Sequence, residues 1–141
     1  MNIAIVGATG NVGRKTLEVF DKKNFKFDNL YLVASEKSAG KKISFRDKEY
    51  VIENLETYDF SKADITFFAA GGKIAEKFAE KAAKHTIVID NSSFFRMDPD
   101  VPLIVPQVNA AEIKNMKKNI IANPNCSTAQ LVIALKPLHN L

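Results

Sequence analysis

A chain of 141 residues with one cysteine and a net charge of +4 is long enough to bury a core as one domain, and it lacks the cysteines for an internal disulfide framework. Its basic excess is spread as lysines among glutamates and aspartates, with no dense basic run interleaved with aromatics, which argues against nucleic acid as a partner and favours anionic small molecules. No apolar run reaches membrane-spanning length and the first residues already read as a core strand, so a cytoplasmic domain without a leader or membrane contact is expected.

An apolar run from the first residues ends in Gly7, Gly10 and Gly13, and Val12, Thr16, Leu17, Val19 and Phe20 follow at the spacing of an amphipathic helix. Strand, glycine turn and helix form the context of a dinucleotide fingerprint. Gly7 permits a tight turn, Gly10 lets the backbone approach a pyrophosphate, and Gly13 allows close helix–strand packing. The helix start supplies N–H donors to the phosphates. A plain βα turn would use three such glycines too.

Leu30–Ala34 reads as a second strand, and Ser35 to Lys41 follows it. An acidic residue here suits the ribose hydroxyls of NAD, a part open to Glu36, whereas Ser35, Lys37, Ser38 and Lys41 together suit the 2′-phosphate of NADP. That balance favours NADP, with an ordinary polar turn as the alternative. Ile43–Phe45 and Glu49–Ile52 have the pattern of a hairpin. Asp64–Ala70 is a third strand, and Ala70 and Gly71 beyond it leave bare backbone against which a nicotinamide ribose can lie. Gly72 to Lys84 predicts a helix with Ile74, Ala75, Phe78, Ala79 and Ala82 on one face.

Thr86–Asp90 is a fourth strand, followed by a polar stretch from Asn91 to Asp100. Arg96 within it is one of three arginines among twenty basic residues. A planar guanidinium grips phosphate or carboxylate through two parallel bonds. Pairing with Asp98 or Asp100 is the alternative use of it. His85 and His139, far apart and without a carboxylate pattern, predict neither a metal site nor a triad, and no metal is expected.

Ile120–Ala122 is a fifth strand, and beyond it Asn123-Pro124-Asn125-Cys126-Ser127-Thr128 leads into the apolar helical stretch Ala129–Leu135. A thiol at a helix N-terminus meets unpaired N–H groups and the positive dipole end, which favour the nucleophilic thiolate. A lone cysteine also serves as a small buried hydrophobe. Strands with continuous apolar runs, separated by amphipathic helices, predict an α/β, Rossmann-like doubly wound fold: a mainly parallel sheet with helices on both faces and ligands at the carboxyl ends of the strands.

Together these segments resemble aspartate-semialdehyde dehydrogenase, in register from Met1 to about Leu135. Gly7 to Gly13 resembles its nucleotide fingerprint, Ser35 to Lys41 its cofactor loop, Asp90 to Asn109 its phosphate-binding stretch, and Asn123 to Thr128 its nucleophile motif. The resemblance implies that the Cys126 thiolate attacks the aldehyde of L-aspartate 4-semialdehyde, that the hemithioacetal passes hydride to NADP+, and that phosphate cleaves the thioacyl-enzyme to L-4-aspartyl phosphate. The physiological direction is the reverse, toward lysine, threonine and methionine. It further implies that Thr9, Gly10, Asn11 and Val12 bind the cofactor phosphates, Lys37 and Ser38 the 2′-phosphate, Arg96 with Asn91 the phosphate or acyl phosphate, and that Asn125 polarises the thioester oxygen.

Lys37 departs from the arginine common in that cofactor loop, keeping charge but not the bidentate grip. Family members are roughly twice this length, and their second half supplies a catalytic histidine, an arginine for the substrate carboxylate and the interface of a homodimer or tetramer. Residues 1–141 are therefore expected to be the NADP-binding domain, ending just past the catalytic cysteine, with negligible turnover alone. Leu131, Val132 and Leu135 are expected to be exposed or buried in a non-native dimer. The alternatives are N-acetyl-gamma-glutamyl-phosphate reductase, against which Asn125 and Ser127 beside Cys126 count, and a non-catalytic NADP(H)-sensing module.

Overall fold

The computed structural model describes residues 1–141. In chain order the elements are β1 (Asn2–Val6), α1 (Asn11–Lys22), β2 (Asn29–Ala34), β3 (Lys42–Phe45), β4 (Lys48–Asn54), β5 (Ile65–Phe68), α2 (Gly72–Ala82), β6 (Ile87–Asp90), α3 (Pro106–Asn109), β7 (Ile120–Ala122) and α4 (Cys126–His139). They build one seven-stranded sheet in the order β3-β4-β2-β1-β5-β6-β7, parallel throughout except for the β3–β4 hairpin.

The continuous apolar strands serve both faces at once, because successive side chains alternate sides. Ala4 and Val6 pack with Ala75, Phe78 and Ala79 of α2, while Ile3 and Ile5 pack with Leu17 and Phe20 of α1. The registers pair Val6 with Val33 and Phe68, Phe68 with Asp90, and Asp90 with Ala122. Four strands therefore end in one row with β2 one residue longer, and the segments after β1, β2, β5, β6 and β7 all emerge at one edge. Chain direction across the sheet reverses at β1, the switch point where doubly wound sheets take ligands.

Several expectations are corrected. The third strand stops at Phe68 rather than Ala70, because Gly71 turns the backbone with φ +87° and becomes the cap of α2. The fourth begins at Ile87. On α1 the buried residues are Gly13, Leu17 and Phe20, whereas Val12 and Val19 stand exposed on the flank. The hairpin, and the buried face of α2 at Ala75, Phe78, Ala79 and Ala82, form as predicted. No helix is long and apolar enough to cross a membrane.

Candidate functional site

The β1–α1 turn is held by contacts that no side chain could share. Gly7 adopts φ +86°, and a Cβ there would lie 2.9 Å from the backbone of Ala69 and the Cβ of Ala70. A Cβ on Gly13 would lie 2.4 Å from the carbonyl oxygen of Gly7, so α1 rests directly on the turn. Gly10 differs: it has φ −77°, and the nearest atom to an added Cβ is the Gly7 oxygen at 3.3 Å. The chain's own packing asks little of Gly10, which leaves room at that point for a ligand. No side chain caps the start of α1 and no acidic residue lies in its first turn, so its free N–H groups face the sheet edge uncompensated.

Beside this turn opens a cavity of about 360 Å³ lined by Val6, Gly7, Thr9, Gly10, Ala34, Ser35, Leu55, Ala69, Ala70 and Ile74. It unites the turn after β1, the loop after β2 and the turn after β5. Leu55 and Ile74 were not legible as site residues. Leu55 enters because its N–H donates to the Ala34 carbonyl (2.9 Å), which folds the end of β4 over the β2 loop. Ser35, Glu36 and Lys37 are exposed on that loop and Ser38 is half-buried. Glu36, Lys37 and Lys41 make none of the chain's ion pairs, so both lysines keep uncompensated charge.

At the ends of β6 and β7, Arg96 donates through Nε to the Asn123 carbonyl (3.0 Å) and through Nη2 to the Asn91 carbonyl (3.2 Å). Its expected alternative partners are taken: Asp98 by Lys118 (3.0 Å) and Asp100 by Lys117 (2.7 Å). The Asp98 carboxyl is held below its usual range by the Asp100 N–H and by Lys118. All three arginines of this lysine-rich chain donate to backbone carbonyls, Arg14 to Thr9 and Arg46 to Phe20 and Phe25. The fork is used on carbonyls, and no carboxylate neutralises Arg96. The Asn123 amide donates to Asn91 Oδ1 (2.6 Å), and the Asn123 N–H to the Asp90 carbonyl (2.8 Å). Phe95, fully buried, pins the intervening loop to the core.

Cys126 is exposed and opens α4. Asn125 is the N-cap: its Oδ1 accepts from the Ser127 N–H (2.9 Å) and lies 3.9 Å from the Cys126 sulfur. Its amide nitrogen has no partner in the chain. No histidine stands near the thiol. His139 is in the last turn of α4, about 20 Å away at 1.5 Å per residue, and His85 precedes β6 at the opposite edge of the sheet.

The structure thus gathers Gly7, Thr9, Gly10, Ser35 and Ala70 around one cavity, with Lys37, Ser38, Asn11, Gly13 and Gly71 on the surrounding turns. Val12 and Asn91 line a second, mostly apolar hollow of about 320 Å³ with Thr16, Val19, Phe67, Ile89 and Asn123. Asn123, which joins β6, β7 and the Cys126 turn, was not singled out in the sequence; only its place ahead of the cysteine hinted at a role.

Residues 2–116 match the family described as semialdehyde dehydrogenase, NAD binding domain. The chain is 53% identical over 141 residues to aspartate-semialdehyde dehydrogenase of Aquifex aeolicus, covering 98% of this chain and 42% of that protein. It superposes on a crystal structure of aspartate semialdehyde dehydrogenase II from Vibrio cholerae, complexed with ASA, with a TM-score of 0.92 and 49% identity over 99% of this chain and 46% of that one. The Candida albicans enzyme, crystallised with NADP, gives a TM-score of 0.78 at 28% identity, again over 99% of this chain and 46% of that one. The chain spans about two-fifths of the length of the curated relatives it matches.

Proposed function

The chain belongs to the semialdehyde dehydrogenase family, by its NAD-binding domain, and from that premise we propose that it is the NADP-binding, nucleophile-bearing domain of a cytoplasmic aspartate-semialdehyde dehydrogenase. The observation that carries this is the shared row of strand ends, which brings the glycine turn, the β2 lysines, Arg96 and Cys126 out at one edge of the sheet. Thr9 to Val12, at the start of α1 beside the β1 switch, would hold the pyrophosphate of a dinucleotide. Lys37 and Ser38 would hold its adenosine phosphate, and Ala70 and Gly71 would receive its nicotinamide end. NADP is preferred because Lys37 and Lys41 are free to pair with a 2′-phosphate. When bound, the cofactor supplies the hydride acceptor or donor.

Cys126 adds through sulfur to the aldehyde carbon of the substrate; once that carbon has given up its hydride, which the cofactor would accept, an oxygen of inorganic phosphate attacks the resulting thioester carbon and expels the Cys126 thiolate. In the reductive direction the same sulfur expels phosphate from the acyl phosphate. Arg96, with Asn91, holds the phosphate group, and the free amide nitrogen of Asn125 donates to the thioester oxygen. With no histidine near Cys126, the proton transfers of the cycle need groups from outside this chain, so 141 residues alone turn over negligibly. The reaction partners are small molecules, aspartate semialdehyde, aspartyl phosphate and phosphate, and the longer protein is a homodimer or tetramer.

Iodoacetamide kinetics test the nucleophile. Cys126 is expected to alkylate several-fold faster at pH 7 than the thiol of an unfolded peptide of the same local sequence. Equal rates would remove the activated thiol and leave a cofactor-sensing module as the better reading.

A further inference from the structure

We infer that Arg96 is a positioning residue for Cys126 as well as an anion ligand: one edge of its guanidinium ties the turn ahead of Cys126 to the loop after β6, and only the other edge is left for a ligand. This rests on the reading of Cys126 as the nucleophile and of Arg96 as a phosphate ligand. The thiol needs such a tie because its own helix supplies little. No residue of α4 is buried, so packing along the helix does little to fix where Cys126 stands. Every hydrogen bond from Asn123–Thr128 to a segment other than α4 is made by Asn123. Its N–H donates to the Asp90 carbonyl at 2.8 Å, one step beyond the β6–β7 pairing. The next peptide, Asn123–Pro124, has no N–H to anchor, because proline carries none. Its carbonyl is the one hydrogen-bonding group it has, and Arg96 Nε donates to it at 3.0 Å. Burial of Pro124 holds the turn down, and the Arg96 bond sets the angle at which the chain leaves toward Cys126.

Arg96 itself stands on a fixed mount. The Ser92 N–H and Oγ both donate to the fully buried Asp90 carboxylate, at 3.0 and 2.6 Å, and the Phe94 N–H donates to Ser92 Oγ at 3.1 Å. Phe95, the residue before Arg96, is in the core. Nε and Nη2 share one edge of the guanidinium plane, and carbonyls take both, Nη2 donating to that of Asn91 at 3.2 Å. Both acceptors are backbone oxygens, which unlike a side-chain amide have no second orientation to offer. Nη1 has no partner in the chain and is not buried. An anion is therefore met end-on, by Nη1 and the second N–H of Nη2, two parallel donors at the spacing of phosphate oxygens. The planar fork lets one residue do both jobs. An ammonium, with three donors radiating from one atom, cannot hold two carbonyls and also grip an oxyanion twice.

NMR on the labelled chain, titrated with inorganic phosphate, tests the division of edges. A through-hydrogen-bond coupling from Arg96 Nε to the Asn123 carbonyl carbon is expected before phosphate is added and unchanged at saturation, while the Nη resonances shift. No coupling in the free chain, or its loss as phosphate binds, overturns the proposal. The positioning role is read from the pH profile of Cys126 alkylation by iodoacetamide in phosphate-free buffer. Arg96→Met should slow alkylation at pH 7 several-fold and move the midpoint up toward that of an unfolded peptide, because the start of α4 is no longer aimed. The effect should persist in about 1 M KCl, where the reach of a lost exposed charge shrinks to about 3 Å. A profile left unmoved, as a role in overall stability alone would leave it, or a shift that vanishes in salt, overturns the positioning role. Failure of phosphate to bind the unaltered chain would remove Arg96 as an anion ligand, and peptide-like alkylation of the unaltered chain would remove Cys126 as an activated nucleophile. Each is a failure of the underlying reading, separate from the tie, which the coupling reports.

Discussion

The two faces of the sheet differ in how completely they are closed. On the α2 side, Ala75, Phe78, Ala79 and Ala82 meet Ala4, Val6, Phe68, Val88 and Ile120, and Leu55, Tyr58 and Phe60 finish the layer. On the α1 side the cover ends near β1. Over β5, β6 and β7, Ile65, Phe67, Ile89 and Ile121 are only half-buried and Ile87 is exposed, with Val12 and Val19 exposed beside them. α4 behaves likewise: no residue of it is buried, and Leu131 and Leu138 are 58% and 65% exposed. An open apolar sheet face and an apolar helix packed only lightly, against α3, are what a chain covering two-fifths of its relatives' length would show if other parts of those proteins pack there. The cavity at the glycine turn and the β2 loop, by contrast, is lined by segments that follow β1, β2, β4 and β5, together with Ile74 of α2. The proposed cofactor site is therefore lined by residues of this chain, whereas the proposed substrate site is supplied by it only in part.

The largest expected effect separates the two faces. Phe78→Ala, in the closed layer, should cost about 3–5 kcal/mol in denaturant unfolding, and Leu138→Ala should change stability by less than about 0.5 kcal/mol. A large cost at Leu138 would show that α4 is packed in solution. The glycines sharpen the contrast within the closed region. Gly13→Ala forces a Cβ against the Gly7 carbonyl and should cost on the order of 3 kcal/mol. Gly10→Ala should stay within about 1 kcal/mol yet weaken NADP+ binding about tenfold, because only the ligand needs that space.

Much of this was legible because it rests on local rules. Continuous apolar runs announced buried parallel strands, and the glycine spacing placed the β1–α1 turn. What escaped depends on distant partners. Nothing near Asp98 or Asp100 indicates that Lys118 and Lys117 will claim them, so the competition for Arg96 could not be resolved from the sequence. Leu55 joins the cavity at the glycine turn only because β4 lies beside β2. Val12 and Val19 satisfied the helical period, but a period does not say how wide the covered stripe is, and here the large side chains that α1 buries are Leu17 and Phe20 alone.

Smaller effects probe the finish of each region. The Tyr58 hydroxyl is buried without a hydrogen-bond partner, and burial pushes its ionisation well above the usual range. Tyr58→Phe should leave stability unchanged or raise it by up to about 1 kcal/mol, read from the melting temperature. On the outer side of α1, hydrogen bonds from Lys15 and Lys22 lower the Glu18 carboxyl from 4.5 to about 2. A lowered carboxylate contributes stability above its unfolded value and loses it as pH falls through the folded one. Glu18→Gln should therefore melt slightly below the unaltered chain above pH 4.5 and converge with it toward pH 2, with the difference shrinking in high salt.

The most direct test of a self-contained cofactor site is calorimetric titration of this chain with NADP+ and, separately, with NAD+. The account predicts saturable binding with NADP+ tighter by about tenfold or more, a margin removed by Lys37→Ala. Binding of neither dinucleotide, under conditions where the chain unfolds cooperatively, would contradict it.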